Sequence, residues 1–418
     1  MNVTFFPSVP AGLTAAPASK SHAIRLLIAA SLADQPTVIR SPGLSDDVTA
    51  AIRSLRALGA GISEKSNGLL VRPIREMPDN ALLDCGESAA ALRFLLPVAA
   101  SLGRSVSFQM HGRLAERPHG ALLDCLTAHG VTVSGHNPLE LNGRFTGGDC
   151  SLDGSLSSQY ASGILLAAPR LDQPTVLTLT GPVVSRSYLD LTLSVMRQYG
   201  ITVQHTADTF TVLPQAYRSP GAVSVEGDWS GAANLLAMGA LSPDGVTVSG
   251  LDPASAAGDR VILDYLRSFG ADVDVQEQSI TVRRADCRPF DADAADCPDL
   301  VPVLAVLAAA AHGDSVIRHI GRLRLKESDR VESLAALLRD LGGIVTVRDD
   351  DMVVNGSGSL KGGVVSSYHD HRIVMAAALA SVLCAEPVTV TDADCIRKSW
   401  PGFFAACETL GIPSEAQV

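Results

Sequence analysis

The stretch Leu-Arg-Ala-Leu-Gly-Ala-Gly-Ile at residues 55–62 decides the fold, because the chain repeats its pattern six times. The end of an apolar helix, a glycine and the start of an apolar strand recur as LTAHGVTV, MRQYGITV, LRSFGADV, LRDLGGIV and, more weakly, CETLGIPS. The repeated glycines are Gly59, Gly130, Gly200, Gly270, Gly342 and Gly411, at intervals of 71, 70, 70, 72 and 69 residues. Units of about 70 residues therefore account for the whole chain of 418 residues. We expect each glycine to adopt the left-handed backbone that ends a helix.

The other helix of each unit is rich in Ala and Leu and is followed by a short strand. These helices are expected to begin near Ser19, Gly86, Ser157, Asp228, Cys297 and His369. The run 301–311 is apolar on almost every side, with Pro302 in the opening turn, so we expect its helix to be buried all round. The simplest arrangement of such units places the helices inside and the sheets outside. The sequence thus predicts an α/β protein made of inside-out domains.

Six units exceed what one hydrophobic core holds, and the natural division is three plus three. We predict a first three-repeat domain over residues 18–225 and a second one formed by residues 1–17 together with 226–418. The strand expected at residues 1–10 then crosses to the second half. Two halves that face each other with their helix N-termini make a cleft, and this cleft is expected to close for chemistry.

Composition excludes several classes of protein. The chain is 46% apolar, and 33 Lys and Arg against 44 Asp and Glu give a formal net charge of −11, which argues against a general binder of nucleic acid or anionic membranes. It contains no run of 18 apolar residues, and its first ten residues lack the features of a secretory signal, so we expect a cytoplasmic protein. The eight cysteines form no C-x-x-C pair, and no cysteine is identified beside a histidine at the spacing of a metal site. We therefore expect reduced, mostly buried thiols and no bound metal.

Basic residues recur where the helices are expected to open. Counting back 13 residues from each capping glycine places the openings of the second helices at Asp46, Arg117, Ser187, Ala257, Asp329 and Lys398. Further cations within about a turn of an opening are Arg25, Arg93, Arg186, Lys326 and Arg330. Any single one of these can be an ordinary cap or a solvated charge. Their joint recurrence in an acidic chain instead predicts a site for a substrate with several negative charges, because helix N-termini attract anions.

Six ordered motifs carry a resemblance to a known family. They are Ser-Lys-Ser at 19–21, Glu-Arg-Pro at 116–118, Gly-Ser-Leu-Ser-Ser-Gln at 154–159, Lys-Glu-Ser-Asp-Arg at 326–330, His-Asp-His-Arg at 369–372 and Arg-Lys-Ser-Trp-Pro at 397–401. Through them the chain resembles the enolpyruvyl transferases over essentially its full length, and among these the members that act on shikimate-3-phosphate. The resemblance implies two domains of three βαβαββ units each. It also implies a place in chorismate and aromatic amino acid biosynthesis.

The resemblance implies two sets of ligand-binding residues. Shikimate-3-phosphate is expected at Lys20, Ser21, Arg25, Ser157, Ser158, Gln159, Ser185, Tyr188, Asp299 and Lys326. Phosphoenolpyruvate is expected at Lys20, Arg93, Arg117, Gln159, Arg330, Arg372 and Lys398. The first set is expected to hold the sugar phosphate with Ser157, Ser158, Ser185 and Lys326, and the shikimate carboxylate with Arg25. No metal or organic cofactor is implied, and we expect a monomer whose partners are these two small molecules only.

The reaction needs a base, an acid and cations, since a hydroxyl loses a proton, the enol carbon gains one, and phosphate then leaves. We assign Asp299 to the hydroxyl, Glu327 to proton transfer at the enol carbon, and Lys20 to the leaving phosphate and to proton transfer. His371 is expected to orient a neighbour rather than to act as a base. The alternative for the two carboxylates is a structural ion pair with Lys326 or Arg330.

Several positions depart from the commonest form of the family. Gly-Glu-Ser-Ala-Ala stands at 86–90 where Gly-Asn-x-Gly-Thr is usual, Ala18 replaces a glycine, and Arg322 replaces an asparagine. Glyphosate competes with phosphoenolpyruvate in this family, and the methyl group of Ala89 predicts resistance to it. Two alternatives stay open, namely transfer to UDP-N-acetylglucosamine and a non-catalytic relative that binds phosphorylated ligands. A nucleotide kinase is excluded, since residues 18–21 lack the glycines of a P-loop.

Overall fold

The computed structural model describes residues 1–417. The strands are β1 (Asn2–Phe5), β2 (Gly12–Ala15), β3 (Thr37–Arg40), β4 (Gly61–Lys65), β5 (Gly68–Arg72), β6 (Ala81–Asp84), β7 (Val106–Gln109), β8 (Val131–Gly135), β9 (Leu139–Gly143), β10 (Gly148–Asp153), β11 (Thr175–Thr180), β12 (Val203–His205), β13 (Thr209–Val212), β14 (Ala222–Ser224), β15 (Val246–Ser249), β16 (Asp272–Val275), β17 (Ser279–Arg283), β18 (Asp291–Asp293), β19 (His312–Arg318), β20 (Ile344–Arg348), β21 (Asp351–Ser357), β22 (Gly363–Ser366), β23 (Val388–Thr391) and β24 (Ser414–Gln417). The α-helices are α1 (Lys20–Leu32), α2 (Asp46–Ala57), α3 (Ala89–Ser101), α4 (Gly120–Ala128), α5 (Ser158–Ala167), α6 (Arg186–Gln198), α7 (Trp229–Ala240), α8 (Ile262–Phe269), α9 (Val301–Ala310), α10 (Arg330–Asp340), α11 (His371–Ser381) and α12 (Phe403–Thr409).

The chain forms two compact units. One consists of Ala18–Val225, and the other of Met1–Pro17 with Glu226–Val418. Each unit contains three four-stranded sheets. The sheet orders are β14-β3-β5-β4, β6-β7-β9-β8 and β10-β11-β13-β12 in the first unit, and β16-β17-β15-β2, β18-β19-β21-β20 and β22-β23-β1-β24 in the second.

All six sheets follow one plan. In the sheet β6-β7-β9-β8 the first pair is parallel and the other two pairs are antiparallel, which gives the order βαβαββ along the chain. Three strands complete sheets far from them in sequence: β14 pairs with β3, β2 pairs with β15, and β1 lies between β23 and β24. The predicted inside-out α/β fold of six repeats is thereby confirmed.

The first helix of each repeat lies in the core of its unit. Helices α3, α7, α9 and α11 are buried along their whole length, α5 is buried except at Gln159, and the predicted all-round burial of residues 301–311 is confirmed. The second helices keep an exposed face; in α8 only four residues are buried. All six repeated glycines have positive φ, between 77° and 99°, as predicted for helix ends.

Three predicted helix openings are wrong. Helix α4 begins at Gly120, α8 at Ile262 and α12 at Phe403, not at Arg117, Ala257 and Lys398. Ala257 precedes the 3₁₀ turn Gly258–Val261, which leads into α8. Arg117 instead follows a 3₁₀ turn in extended conformation, with φ −71° and ψ 147°, because the residue before a proline avoids helical geometry. Lys398 closes the 3₁₀ turn Ala393–Lys398 ahead of Pro401. Within residues 1–417 no helix combines the length and apolar character needed to cross a membrane.

Candidate functional site

The unit Ala18–Val225 presents Lys20 and Ser21 in the first turn of α1. The Ser19 hydroxyl caps this helix by accepting from the His22 backbone N–H. The Lys20 ammonium lies 2.8 Å from the carboxylate of Asp47, a buried residue of α2. The Lys20 ammonium is thus already paired with the Asp47 carboxylate, and its partly exposed side chain can also contact an anionic ligand.

Arg25, one turn further along α1, is almost completely buried. Its guanidinium donates to the Ser21 and Tyr188 carbonyls at 2.9 and 3.1 Å and to the Thr192 and Ser162 hydroxyls at 2.8 and 3.3 Å. It also stacks on Phe94, 4.6 Å from the ring centroid. Arg25 therefore ties α1 to α5 and α6, a role that its expected contact with the shikimate carboxylate did not include.

Arg93, on α3, is the centre of a second set of polar contacts. Its guanidinium donates to Gln159 Oε1 at 2.9 Å, to the Pro118 carbonyl at 3.0 Å and to His119 Nδ1 at 3.4 Å. Burial and the charge of Arg93 lower the pKa of His119 to about 4, so this ring accepts as a neutral imidazole. We call Arg93, His119 and Gln159 the Arg93 group; Arg117 stands two residues before His119, and its charge contributes to the same pKa shift.

Four residues expected to bind shikimate-3-phosphate surround the N-termini of α5 and α6. Ser157 caps α5 by accepting from the Gln159 backbone N–H, and Ser158 follows it as the first helical residue. Ser185 precedes α6 with φ 55° and ψ 44°, a left-handed conformation that is uncommon outside glycine. Tyr188 lies half-buried in the first turn of α6. Both helices direct backbone N–H groups and positive dipole ends toward these side chains.

The unit formed by Met1–Pro17 and Glu226–Val418 holds a denser group around Asp299. The carboxylate oxygens of Asp299 lie 2.9 Å from a guanidinium nitrogen of Arg330, 3.1 Å from one of Arg372 and 3.4 Å from the ammonium of Lys326. Arg330 also binds Glu327 at 2.7 Å and Asp370 at 2.7 Å. We call these six residues the Asp299 cluster. The predicted carboxylates and three of the predicted cations therefore lie together.

Asp370 is a member of this cluster that the sequence analysis missed. It caps α11 through the Arg372 backbone N–H, accepts from the Ser328 hydroxyl and holds two nitrogens of Arg330, while its own side chain is fully buried. The motif at 369–372 contains it, next to His371 and Arg372. An Asp directly before a helix is itself a capping signal.

Opposing effects set the ionisation of the cluster. Burial disfavours the charge of Asp299, but Arg372, Lys326 and Arg330 outweigh it and hold the pKa of the carboxyl well below its ordinary value. Burial lowers the pKa of Lys326 to about 8, against the opposing charge of Asp299. The cluster therefore contains an ionised carboxylate and a lysine that loses its proton just above neutral pH.

Asp259 is a further titrating group that the sequence analysis missed. It lies two residues after Ala257, the expected helix opening whose own side chain is an apolar methyl group. Burial, reinforced by the charge of Asp299, raises the pKa of Asp259 to about 7, and its carboxyl accepts from the Ser230 hydroxyl. Raised carboxyl pKa values are typical of functional sites.

The predicted residues thus fall into groups, each within one unit. The unit Ala18–Val225 contains Lys20, Ser21, Arg25, Arg93, Arg117, Ser157, Ser158, Gln159, Ser185 and Tyr188. The other unit contains Asp299, Lys326, Glu327, Arg330, Arg372 and Lys398. Each ligand therefore has assigned residues in both units. Lys398 is buried at the end of its 3₁₀ turn, and Arg322 lowers the pKa of Lys326 through its charge.

The cysteine prediction needs one correction. All eight thiols are free and seven are buried, as expected. However, Cys125 and His129 stand four residues apart at the end of α4, which is a metal-ligand spacing, and Cys150 joins them. The spacing was visible in the sequence, but the contribution of β10 required the fold.

Comparison with known proteins agrees with this architecture. The model of the family described as EPSP synthase (3-phosphoshikimate 1-carboxyvinyltransferase) matches residues 10–406. Proteins named 3-phosphoshikimate 1-carboxyvinyltransferase from Methanocorpusculum labreanum and Clostridium kluyveri are 37% and 36% identical, over 96% and 98% of this chain and 96% and 97% of theirs. The solved EPSP synthase of Acinetobacter baumannii shares the fold, with a TM-score of 0.82, 22% identity and full coverage of both chains. The chain belongs to the EPSP synthase family.

Proposed function

We propose that this protein transfers the enolpyruvyl group of phosphoenolpyruvate to the 5-hydroxyl of shikimate-3-phosphate and releases phosphate. The names of the similar proteins supply the phosphoshikimate acceptor and the transferred carboxyvinyl group. The observation that carries the chemistry is the Asp299 carboxylate with three cations around it. Such a group combines a proton acceptor with stabilisation of transferred negative charge, and this reaction needs both.

The first step is addition of the hydroxyl oxygen to C2 of phosphoenolpyruvate. The hydroxyl proton leaves as the C–O bond forms, and C3 gains a proton, which produces a tetrahedral ketal. Asp299 accepts the proton of the hydroxyl, and Glu327, bound to Arg330 at 2.7 Å, transfers a proton to C3. Both carboxylates are partly exposed, so a substrate can reach them.

Substrate binding itself activates Asp299. Its pKa is low because Arg372, Lys326 and Arg330 surround it. When a phosphate and a carboxylate pair with these cations, part of their charge is compensated and the pKa of Asp299 rises toward its ordinary value. A carboxylate that is inert as a base in the free protein thereby becomes a better proton acceptor in the complex.

The second step is loss of phosphate from the ketal. The C2–O bond to phosphate breaks, C3 returns one proton, and the vinyl ether of the product forms. Lys20 and the Arg93 group offer cationic and polar contacts for the departing phosphate and for the carboxylate of phosphoenolpyruvate. Arginine suits this task because its planar donors match both anions.

The sugar phosphate belongs at the N-termini of α5 and α6 in this scheme. Ser157 and Ser158 begin one helix and Ser185 precedes the other. Backbone N–H groups, hydroxyls and helix dipoles together bind a dianion without requiring a metal. The expected monomeric state, the cytoplasmic location and the closing cleft stay predictions.

Phosphate release tests the proposal. Purified protein is supplied with phosphoenolpyruvate and either shikimate-3-phosphate or UDP-N-acetylglucosamine as acceptor. We expect release with the first acceptor only. Release with the second acceptor would assign the protein to the sister reaction, and release with neither would support the non-catalytic alternative.

A further inference from the structure

The structure assigns a metal site to Cys125, His129 and Cys150, none of which is assigned to either substrate. Their ligand atoms, two thiol sulfurs and an imidazole nitrogen, all lie within 4.8 Å of one another. We propose that the site takes a divalent transition metal that favours sulfur and nitrogen ligands, with Zn²⁺ as the ion of choice.

The fold brings the three residues together through two elements. Cys125 and His129 are one helical turn apart at the C-terminal end of α4, so both face the same side. Cys150 is the third residue of β10, on the buried face of that strand. Helix α4 packs against β10, and so the site joins the second repeat to the third.

Distances within the group suit tetrahedral coordination. Cys150 Sγ lies 3.8 Å from His129 Nε2. A tetrahedral zinc with about 2.3 Å to sulfur and about 2.0 Å to nitrogen separates a sulfur ligand from a nitrogen ligand by about 3.5 Å, so binding needs a shift of only roughly 0.3 Å between these two atoms. The thiols are buried and the imidazole is partly exposed.

Backbone carbonyls orient the ring of His129. Its Nδ1 lies 2.7 Å from the Cys125 carbonyl oxygen, and its Nε2 lies 3.1 Å from the Asp149 carbonyl oxygen and 3.8 Å from Cys150 Sγ. A hydrogen bond between Nδ1–H and a backbone carbonyl is the usual support of a histidine that binds a metal through Nε2. The ring is therefore held with Nε2 on the side of the Cys150 sulfur.

Such a site has a structural role. It fastens the end of α4 to β10, and α4 begins three residues after Arg117. None of the three ligands is assigned to substrate, so metal removal is expected to lower thermal stability while turnover at low temperature persists.

Metal content and cobalt spectroscopy test the proposal on the whole protein. After reduction and addition of Zn²⁺, gel filtration and elemental analysis are expected to give one equivalent of zinc, and Co²⁺ is expected to give thiolate charge-transfer and tetrahedral visible bands. Cys150→Ser and His129→Gln should lose the metal and these bands. Cys384→Ser, which removes a buried thiol from the other unit, should keep both.

Two results would overturn the inference. The first is wild-type protein that retains no zinc and gives no cobalt bands, a result that does not depend on whether any variant folds. The second is a disulfide in the protein as isolated, detected as a mass 2 Da lower and two fewer titratable thiols, with no metal uptake after reduction.

Discussion

The Asp299 cluster and the Arg93 group both contain buried arginines, but the groups that contact these arginines differ in charge. Arg330 and Arg372 are held by the carboxylates of Asp299, Glu327 and Asp370. The hydrogen bonds of Arg93 described above go to an amide oxygen, a backbone carbonyl and a neutral imidazole. The cluster therefore pairs three carboxylates with three cations and has shifted pKa values, whereas the contacts of Arg93 described above go to uncharged groups. In the proposed mechanism the first region moves protons and the second holds phosphate or carboxylate.

The largest effect is expected from a substitution that breaks the charge balance of the Asp299 cluster. Arg330→Met leaves the fully buried Asp370 without its cation, which costs about 3 to 5 kcal/mol of unfolding free energy, and it also abolishes activity. Chemical denaturation measures the loss. Arg324→Met removes a partly exposed ion pair of the same segment and should remain near wild type. Equal stability of the two variants would contradict the structural role of Arg330.

The next effect separates catalysis from stability. Arg117 is half-exposed beside the Arg93 group, and Lys326 is the most exposed cation of the Asp299 cluster. Arg117→Ala and Lys326→Ala should each lower turnover about a hundredfold or more with little change in melting temperature, because these charges serve the ligand.

Arg113→Ala, an exposed arginine four residues before Arg117, is the matched control and should keep full activity. Unchanged turnover in Arg117→Ala or Lys326→Ala would remove that residue from the site.

A smaller effect concerns pH. Because the pKa of Lys326 is about 8, its charge and its hold on the sugar phosphate are lost as the pH rises through that value. We expect kcat/KM for shikimate-3-phosphate to fall above pH 8 in the wild type, and Lys326→Arg to move this fall to higher pH. In stability, the folded state holds fewer protons than the unfolded chain between pH 8 and 10.5, so this group adds to stability as the pH rises there. An identical pH profile in both proteins would exclude Lys326 as the titrating group.

The smallest and most local effect concerns glyphosate. Ala89 is the first residue of α3 and is buried, on the same helix as Arg93. Its methyl group is expected to cost the longer inhibitor about 1 to 3 kcal/mol, which is roughly tenfold to more than a hundredfold in affinity. Ala89→Gly should therefore be inhibited at lower glyphosate concentration than the wild type. Equal inhibition of both would mean that Glu87 has moved this loop away from the ligand.

The sequence could predict those features that depend on local pattern. The period of the glycines specified six repeats, and the apolar run at 301–311 specified a buried helix. The contacts of Arg25 could not be predicted, because Thr192 and Ser162 come from helices far along the chain. The partnership of Arg330 with Asp370 depends in the same way on the packing of α10 against α11. Motifs identified the charged residues, but only the fold showed which carboxylate neutralises which cation.

Deuterium incorporation tests the central claim most directly. The reaction of shikimate-3-phosphate with phosphoenolpyruvate is run in D₂O and followed by proton NMR and mass spectrometry. Addition followed by elimination makes C3 a methyl group in the ketal, so the account predicts an enolpyruvyl ether with deuterium in its vinyl group, together with one phosphate per ether formed. Phosphate released with pyruvate and no ether, or an ether free of deuterium, would contradict it.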